Sequence, residues 1–320
     1  MGAMVAPATL PLMPAPGCCR RPGHWNIGDS ALCPFCNLIC TAVIARKPDR
    51  IAEQIGKAVK RGKRGRRRRK NSVRIKEPNV MALDGVRALV FDVFGTVVDW
   101  RSGVAREVEP FLKRHGAGSA IPAAFTDAWR RRYSPAMEEV RSGRRPFTRL
   151  DVLHRENLEA VLPEFGIDPA LVPASELDEL NLAWHRLEPW PDVVAGLARL
   201  RAHYIIAPLS NGNIALMLNM AKRSRIPWDA ILGAEVVQAY KPAPEAYLRT
   251  ADVLAMKPDE ICLVAAHNGD LAAARACGLR TAFVPRPTEH GVAQATDLHP
   301  DQAWDLVASD FIDLAERLQL

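Results

Sequence analysis

Five polar side chains stand where apolar runs end. Asp92 closes the run "ALVF" at 88–91, Ser210 and Asn211 follow a run ending at Leu209, Lys241 sits in "YKPAPEAY", and Asp270 in "VAAHNGD". A carboxylate with a lysine and a second carboxylate nearby can act as nucleophile or general base, the cation offsetting the charge involved. Blander roles fit the same residues: Asp92 capping a turn before Gly95, Asp270 capping a helix, Lys241 solvated ahead of a proline. Two places after Asp92 stands Phe94, which has no proton to give. Any acid that assists Asp92 must come from elsewhere.

The elements that would position these residues can be read from apolar periodicity. The short continuous run at 88–91 predicts a parallel strand buried on both faces. Further strands are expected at Tyr204–Leu209, around Ile231–Val237, at Ile261–Ala265 and at Thr281–Val284, with helical segments between them. Gly278 is expected to end the helix in "AAARACGLR". Between the first strand and the second, helical spacing recurs at Val104, Val108, Phe111 and Leu112, at Phe125 and Trp129, at Leu150, Leu153, Leu158 and Val161, and at Leu177, Leu180 and Trp184. The fold class is therefore α/β: a doubly wound parallel sheet with an inserted all-helical segment. Ligands of such sheets bind at the carboxyl ends of the strands, where all five polar residues fall.

Charge divides the chain. Residues 1–80 hold 17 of the 43 Lys and Arg but 4 of the 36 Asp and Glu, so the remainder carries an acidic excess despite a net charge of +7. That excess excludes a general attraction of residues 81–320 for nucleic acid or anionic membrane. Residues 1–80 read as a basic, disordered extension, rich in Pro and Ala at first and then in like charge. A zinc knuckle built on "CPFC" with Cys18, Cys19, His24 and Cys40 would need a second paired motif that is missing. An arginine-rich arm at 61–76 is expected to touch nucleic acid only nonspecifically. Met81 reads equally well as the true start. The apolar stretch "ALCPFCNLICTAVIA" is too short for a membrane span, and Cys262 and Cys277 stand apart, as suits a reduced, cytoplasmic compartment.

Taken together, "FDVFGTVVDW", "LSNGN", "YKPAPEAY" and "VAAHNGD" resemble the four signature segments of the haloacid dehalogenase superfamily, in its L-2-haloacid dehalogenase (type II) branch. The resemblance spans residues 87 to about 290. It implies a Rossmann-like core at 81–99 and 190–320, a helical cap at 100–189, no cofactor and no metal. It also implies an Asp92 nucleophile that forms an ester with a 2-haloalkanoic acid, such as a haloacetate or 2-halopropionate, and releases a 2-hydroxy acid. Phe94 fits that reading, because a halide leaves without a proton whereas the alkoxide of a phosphate ester needs one.

By the same resemblance Thr96 hydrogen-bonds the nucleophile, Lys241 neutralises the carboxylates, and Asp270 holds Lys241 and helps orient water. Ser210 and Asn211 contact the substrate carboxylate and halide, Arg130 receives the halide ahead of its neighbours Arg131 and Arg132, and Tyr247 is a site residue. Trp100, Phe94 and Trp190 are apolar candidates for the pocket wall. One segment departs from the branch pattern: "AAHNGD" puts Ala265 and His267 where serine and asparagine are usual. His267 is expected to act as general base on the hydrolytic water or as donor to a poor leaving group such as fluoride, against a structural histidine bonded to Asp270. The partner is a small haloacid, with a homodimer left open. Two other functions compete: a Mg²⁺-dependent phosphatase or related hydrolase of the superfamily, and non-catalytic nucleic-acid or partner binding through the basic arm.

Overall fold

The strand that carries Asp92, β1 (Ala88–Phe91), is wholly buried and lies between β2 (Ile205–Ser210) and β4 (Ile261–Ala265), parallel to both. A strand with partners on both edges and helices over both faces needs apolar residues at every position, which is why "ALVF" is unbroken. Its side chains still alternate. Leu89 and Phe91 enter a core shared with α6 (Val193–Arg201), α7 (Ile214–Ser224) and α11 (Phe311–Arg317); Ala88 and Val90 enter one shared with α9 (Pro244–Leu254) and α10 (Asn268–Ala276).

The computed structural model of the chain describes residues 83–320. Its parallel sheet runs in the order β3-β2-β1-β4-β5-β6, completed by β3 (Leu232–Gly233), β5 (Arg280–Phe283) and β6 (Leu306–Val307). The α/β class and the parallel sheet are as the sequence predicts. The third strand is not: residues expected to be extended to Val237 pair only at Leu232 and Gly233, then turn into the short helix α8 (Ala234–Val237). Gly233 takes φ +133, and a Cβ there would stand 2.4 Å from the Ser210 carbonyl oxygen, so the close approach of the two strands ends at a glycine.

Between β1 and β2 lie α1 (Trp100–Arg114), α2 (Pro122–Arg131), α3 (Tyr133–Arg141), α4 (Leu150–Val161) and α5 (Ala174–Asn181). The apolar stripes read from the sequence are their buried faces, though Trp184 sits in a 3-10 turn after α5. The helical segment leaves and returns side by side: the Asp99 N–H donates to Glu188 O at 3.0 Å, and the Trp190 N–H to Val97 O at 3.0 Å. A long loop, 284–305, follows β5. The Asn268 side chain pins it, Nδ2 donating to Asp297 Oδ1 and His299 O while Oδ1 accepts from the Asp301 N–H and Trp304 Nε1.

The expectations for residues 1–80, namely disorder, a zinc knuckle and a basic arm, and for a start at Met81 lie outside the described residues. Among the described residues no helix is long and apolar enough to cross a membrane, and Cys262 and Cys277 are free thiols.

Candidate active site

Asp92 extends the ladder of β1 by one bond, its N–H donating to Val264 O at 3.1 Å, so its side chain is fixed at the strand's carboxyl end. Lys241 Nζ donates to Asp92 Oδ1 at 2.8 Å and to Asp270 Oδ2 at 2.5 Å. Thr96 Oγ1 donates to Asp92 Oδ2 at 2.7 Å and accepts from the Ala266 N–H at 2.9 Å, so its proton can point only at the carboxylate. Thr96 therefore ties the loop after β1 to the loop after β4. Asp270, at the third position of α10, does not cap the helix; its other oxygen accepts from Tyr247 Oη at 2.6 Å.

His267 joins the cluster from the start of α10. Its Nδ1 lies 3.1 Å from Asp92 Oδ2 and its Nε2 2.9 Å from Glu289 Oε2. Glu289 comes from the 284–305 loop, is 2% exposed, and accepts from Trp100 Nε1 at 2.9 Å through its other oxygen. Gly95 makes room for it. At φ +93 a Cβ on Gly95 would lie 2.1 Å from Glu289 Oε1, so glycine is required both for the turn and for the carboxylate's approach.

Burial alone would raise the Asp92 carboxyl, but Lys241 and then His267 reverse this and hold it below the usual carboxylate range. Burial would likewise lower Lys241 and His267. For Lys241, Asp270 and Asp92 outweigh it and raise the ammonium above its ordinary value; for His267, Glu289 and Asp92 raise the ring well above 6.5. Glu289, which burial would raise, is lowered chiefly by His267. The resting site is thus an alternating array of charge: Asp270 carboxylate, Lys241 ammonium, Asp92 carboxylate, His267 imidazolium, Glu289 carboxylate.

This array opens on a cavity of about 330 Å³ that the helical segment completes. Asp92, Asn211, Lys241, His267 and Asp270 line it from the sheet side; Arg130, Tyr133, Met137 and Arg141 line it from α2 and α3. Arg130 has no ion-pair or hydrogen-bond partner among the described residues, and its Nη1 is buried. The guanidinium instead lies over aromatic rings, 3.8 Å from the centroid of Tyr133, 5.2 Å from Trp100 and 5.7 Å from Phe94. Behind it His154 is buried with neither ring nitrogen bonded, and burial with the nearby Arg130 charge lowers its pKa to about 3. His154 is neutral and leaves the cationic character of this wall to Arg130. An unpaired guanidinium lying over aromatic rings at one wall of a small cavity is a receptor for an anion.

A sequence model of the haloacid dehalogenase-like hydrolases matches residues 86–278. The chain belongs to that family. It is 29% identical over 231 residues to the (S)-2-haloacid dehalogenase 4A of Burkholderia cepacia, an alignment covering 68% of this chain and 95% of that protein. The solved structure of a defluorinating L-2-haloacid dehalogenase is 55% identical, with TM-score 0.72 over 73% of this chain and 96% of the other. That of a second L-2-haloacid dehalogenase is 47% identical, with TM-score 0.69, covering 73% and 99%.

In this haloacid dehalogenase-like hydrolase Asp92, Thr96, Lys241, Asp270 and His267 meet in one cluster, and Arg130 and Asn211 share its cavity. Arg131 and Arg132 instead face Glu164, at 3.9 and 2.6 Å. Three residues expected against the substrate do not line the cavity. Ser210 Oγ accepts from the Gly212 N–H at 3.1 Å, holding the turn that presents Asn211. Tyr247 is fully buried and positions Asp270, and Trp100 packs on Trp184 while holding Glu289. Of the wall candidates Phe94 lines the cavity, whereas Trp190 is tied up donating to Gly95 O.

The residues that escaped the sequence reading are Glu289 and the α3 face. Tyr133, Met137 and Arg141 recur at four-residue spacing, a signal present but shorter than the other stripes. Glu289 lies in a loop with no periodicity to mark it. A histidine bonded to Asp270 is not what forms: His267 bonds Asp92 and Glu289. The site also does not suit a divalent cation. Both Asp270 oxygens are engaged by Lys241 and Tyr247, Asp92 is flanked by Lys241 and His267, and Phe94 replaces a further carboxylate, so two cations already neutralise what a metal would bind.

Proposed function

We propose that the protein hydrolyses the carbon–halogen bond of short 2-haloalkanoic acids to 2-hydroxy acids, with Asp92 as nucleophile and an aspartyl ester as intermediate. One observation carries the reading: an ionised, charge-compensated Asp92 shares a small cavity with an unpartnered Arg130, and Phe94 stands where a phosphatase would keep its acid. The relatives' names point to the same chemistry, and the one called defluorinating puts fluoride among the candidate halides.

In the first step an Asp92 oxygen attacks Cα as the halide departs with the bonding pair on the opposite side, towards Arg130. The Asn211 Oδ1 accepts from the Lys241 N–H at 2.8 Å, which turns its amide nitrogen to the cavity to receive the substrate carboxylate. Arg141, paired with Glu138 at 2.8 Å, donates to Lys241 O at 3.1 Å and so ties α3 to the loop that carries Lys241. His267 stands on the nucleophile's side, bonded to Asp92 itself, which supports the role of base over that of donor to a leaving fluoride.

Esterification removes the Asp92 charge that supports the imidazolium. His267 then gives its Nδ1 proton to solvent while Glu289 keeps the Nε2–H in place; the freed Nδ1 takes a proton from the water that attacks the Asp92 carbonyl carbon, the same proton passes to the oxygen on Cα as the adduct collapses and the 2-hydroxy acid leaves, and reionising Asp92 returns a proton to His267. Thr96 Oγ1 is placed to steady the oxyanion at Oδ2. Inversion at Cα follows from the single displacement there. The helical segment acts as a cap in this scheme, α2 and α3 closing the site over the substrate. A cytoplasmic, metal-independent enzyme that pairs as a homodimer belongs to the same proposal.

The test is halide release from fluoro-, chloro- and bromoacetate and from each 2-chloropropionate enantiomer, in EDTA. Release by the wild type and none by Asp92→Asn is expected. Halide from neither, or turnover that requires Mg²⁺, would sink the reading.

A further inference from the structure

A second cavity, of about 480 Å³, lies against the other flank of Arg130. It shares Arg130, Tyr133 and Ser134 with the catalytic cavity and is otherwise lined by Trp100, Asp127, Arg131 and His290. Its one carboxylate is already neutralised, since Arg101 grips Asp127 through two bonds of 2.8 and 2.7 Å. Arg130 has no such partner and Arg131 reaches a carboxylate only at 3.9 Å, so the wall is net cationic and favours an anion.

We infer that the second cavity is the exit route of the product halide, Arg130 passing the ion from one cavity to the other. The inference rests on the dehalogenation reading. When the Asp92 oxygen to Cα bond forms and the carbon–halogen bond breaks, the halide carries off the electron pair on the face of Cα away from Asp92. The acyl chain of the ester then fills the space between the ion and the catalytic cluster. A halide leaving through the first cavity would have to pass the covalent intermediate and the buried carboxylate of Asp270. On the other side of the guanidinium it meets Trp100, the neutralised Asp127, Arg131 and the half-exposed ring of His290, which lies 3.6 Å from the Glu289 carboxylate that Trp100 already holds. Separate routes also keep the departing anion off the path of the substrate anion.

His290 is the residue at which to block the route, because it lines the second cavity and not the first. Single-turnover reactions of the full chain with chloroacetate are followed in two channels: esterified Asp92 by peptide mass after acid quench, and halide in bulk solvent. In wild type and in His290→Ala, halide appears in step with the ester. In His290→Trp, where the larger indole narrows the cavity, the ester forms at the wild-type rate and bulk halide lags by about tenfold or more. His290→Ala separates filling from loss of the imidazole. Halide that keeps pace with the ester in His290→Trp overturns the exit route and leaves the dehalogenation reading intact. Absence of any ester in the wild type overturns both.

Discussion

The Nε2 of His267 lies 2.9 Å from Glu289 Oε2, across 22 residues of sequence and from a different loop. The carboxylate decides both the charge and the tautomer of the ring. With Glu289 behind it, the His267 pKa is raised against Asp92, and in the proposed mechanism the ring becomes, once Asp92 is esterified, a base whose free nitrogen faces the ester. Glu289→Gln keeps the shape and a partner for Trp100 while removing the charge. We expect the first-turnover burst of halide to survive and kcat to fall by roughly 10²- to 10⁴-fold, the range of a positioned acid–base group, with esterified Asp92 accumulating. A burst lost along with kcat would place Glu289 in the first step instead.

The pH profile should separate the two steps. In the free enzyme Asp92 is held below its ordinary value of 3.8, so the proposed nucleophile remains ionised throughout the range in which an ordinary carboxylate titrates, and kcat/KM should show no acid limb there. In the ester His267 must be neutral to accept a proton, yet Glu289 still holds its pKa up. Acidification through that pKa protonates the base, so kcat falls as pH drops while kcat/KM does not. Glu289→Gln withdraws the support and moves the kcat limb to lower pH. Parallel limbs in both parameters would contradict a base that acts only after esterification.

Gly95 admits the Glu289 carboxylate to the site, and its cost of substitution can be read from the same geometry. Gly95→Ala puts a methyl within 2.1 Å of Glu289 Oε1 on a backbone at φ +93. Two strains add, the left-handed backbone and the displaced carboxylate, for a loss of about 1–3 kcal/mol in urea denaturation. Because the displaced group is Glu289, kcat should fall with the Glu289→Gln pattern, burst preserved. Unchanged stability would mean that the loop 284–305 yields freely.

Much of this arrangement was legible in the residues themselves, because buried parallel strands read as unbroken apolar runs and the polar residues that end them mark one edge of the sheet. β1 and β4 lie where the runs predicted them, and β2 and β5 within one residue. β6 is two residues long and too short to have a period, and β3 stops at Gly233, where the backbone rather than the side-chain pattern ends the strand. Within the site, residue type foretold which side chains gather but not how they point. Ser210, Tyr247 and Trp100 stand one layer back, each holding a residue or turn of the cluster, because a hydroxyl or indole beside a site can bond inward or outward with no change in the sequence. Glu289 depended on a loop closing over 22 residues, held by Asn268, and no local pattern encodes that.

Phe94 leaves Asp92 without a proton donor two residues on, and placing an acid there should not create a phosphatase. The ring is 3% exposed, meets Trp184 edge-on with centroids 5.9 Å apart, and lies beneath the Arg130 guanidinium at 5.7 Å. An aspartate in its place leaves a void among aromatic groups and offers Arg130 the carboxylate it now lacks. The cation that should receive the halide would be paired, while Lys241 and His267 would still occupy the neighbourhood a metal needs. Phe94→Asp is therefore expected to lose halide release by at least about 10²-fold, the scale of removing one preorganised donor to a developing anion, and to gain no Mg²⁺-dependent hydrolysis of p-nitrophenyl phosphate. Phosphatase activity appearing on Mg²⁺ addition would show that Phe94 alone, rather than the Lys241 and His267 cations with it, sets the reaction of this site.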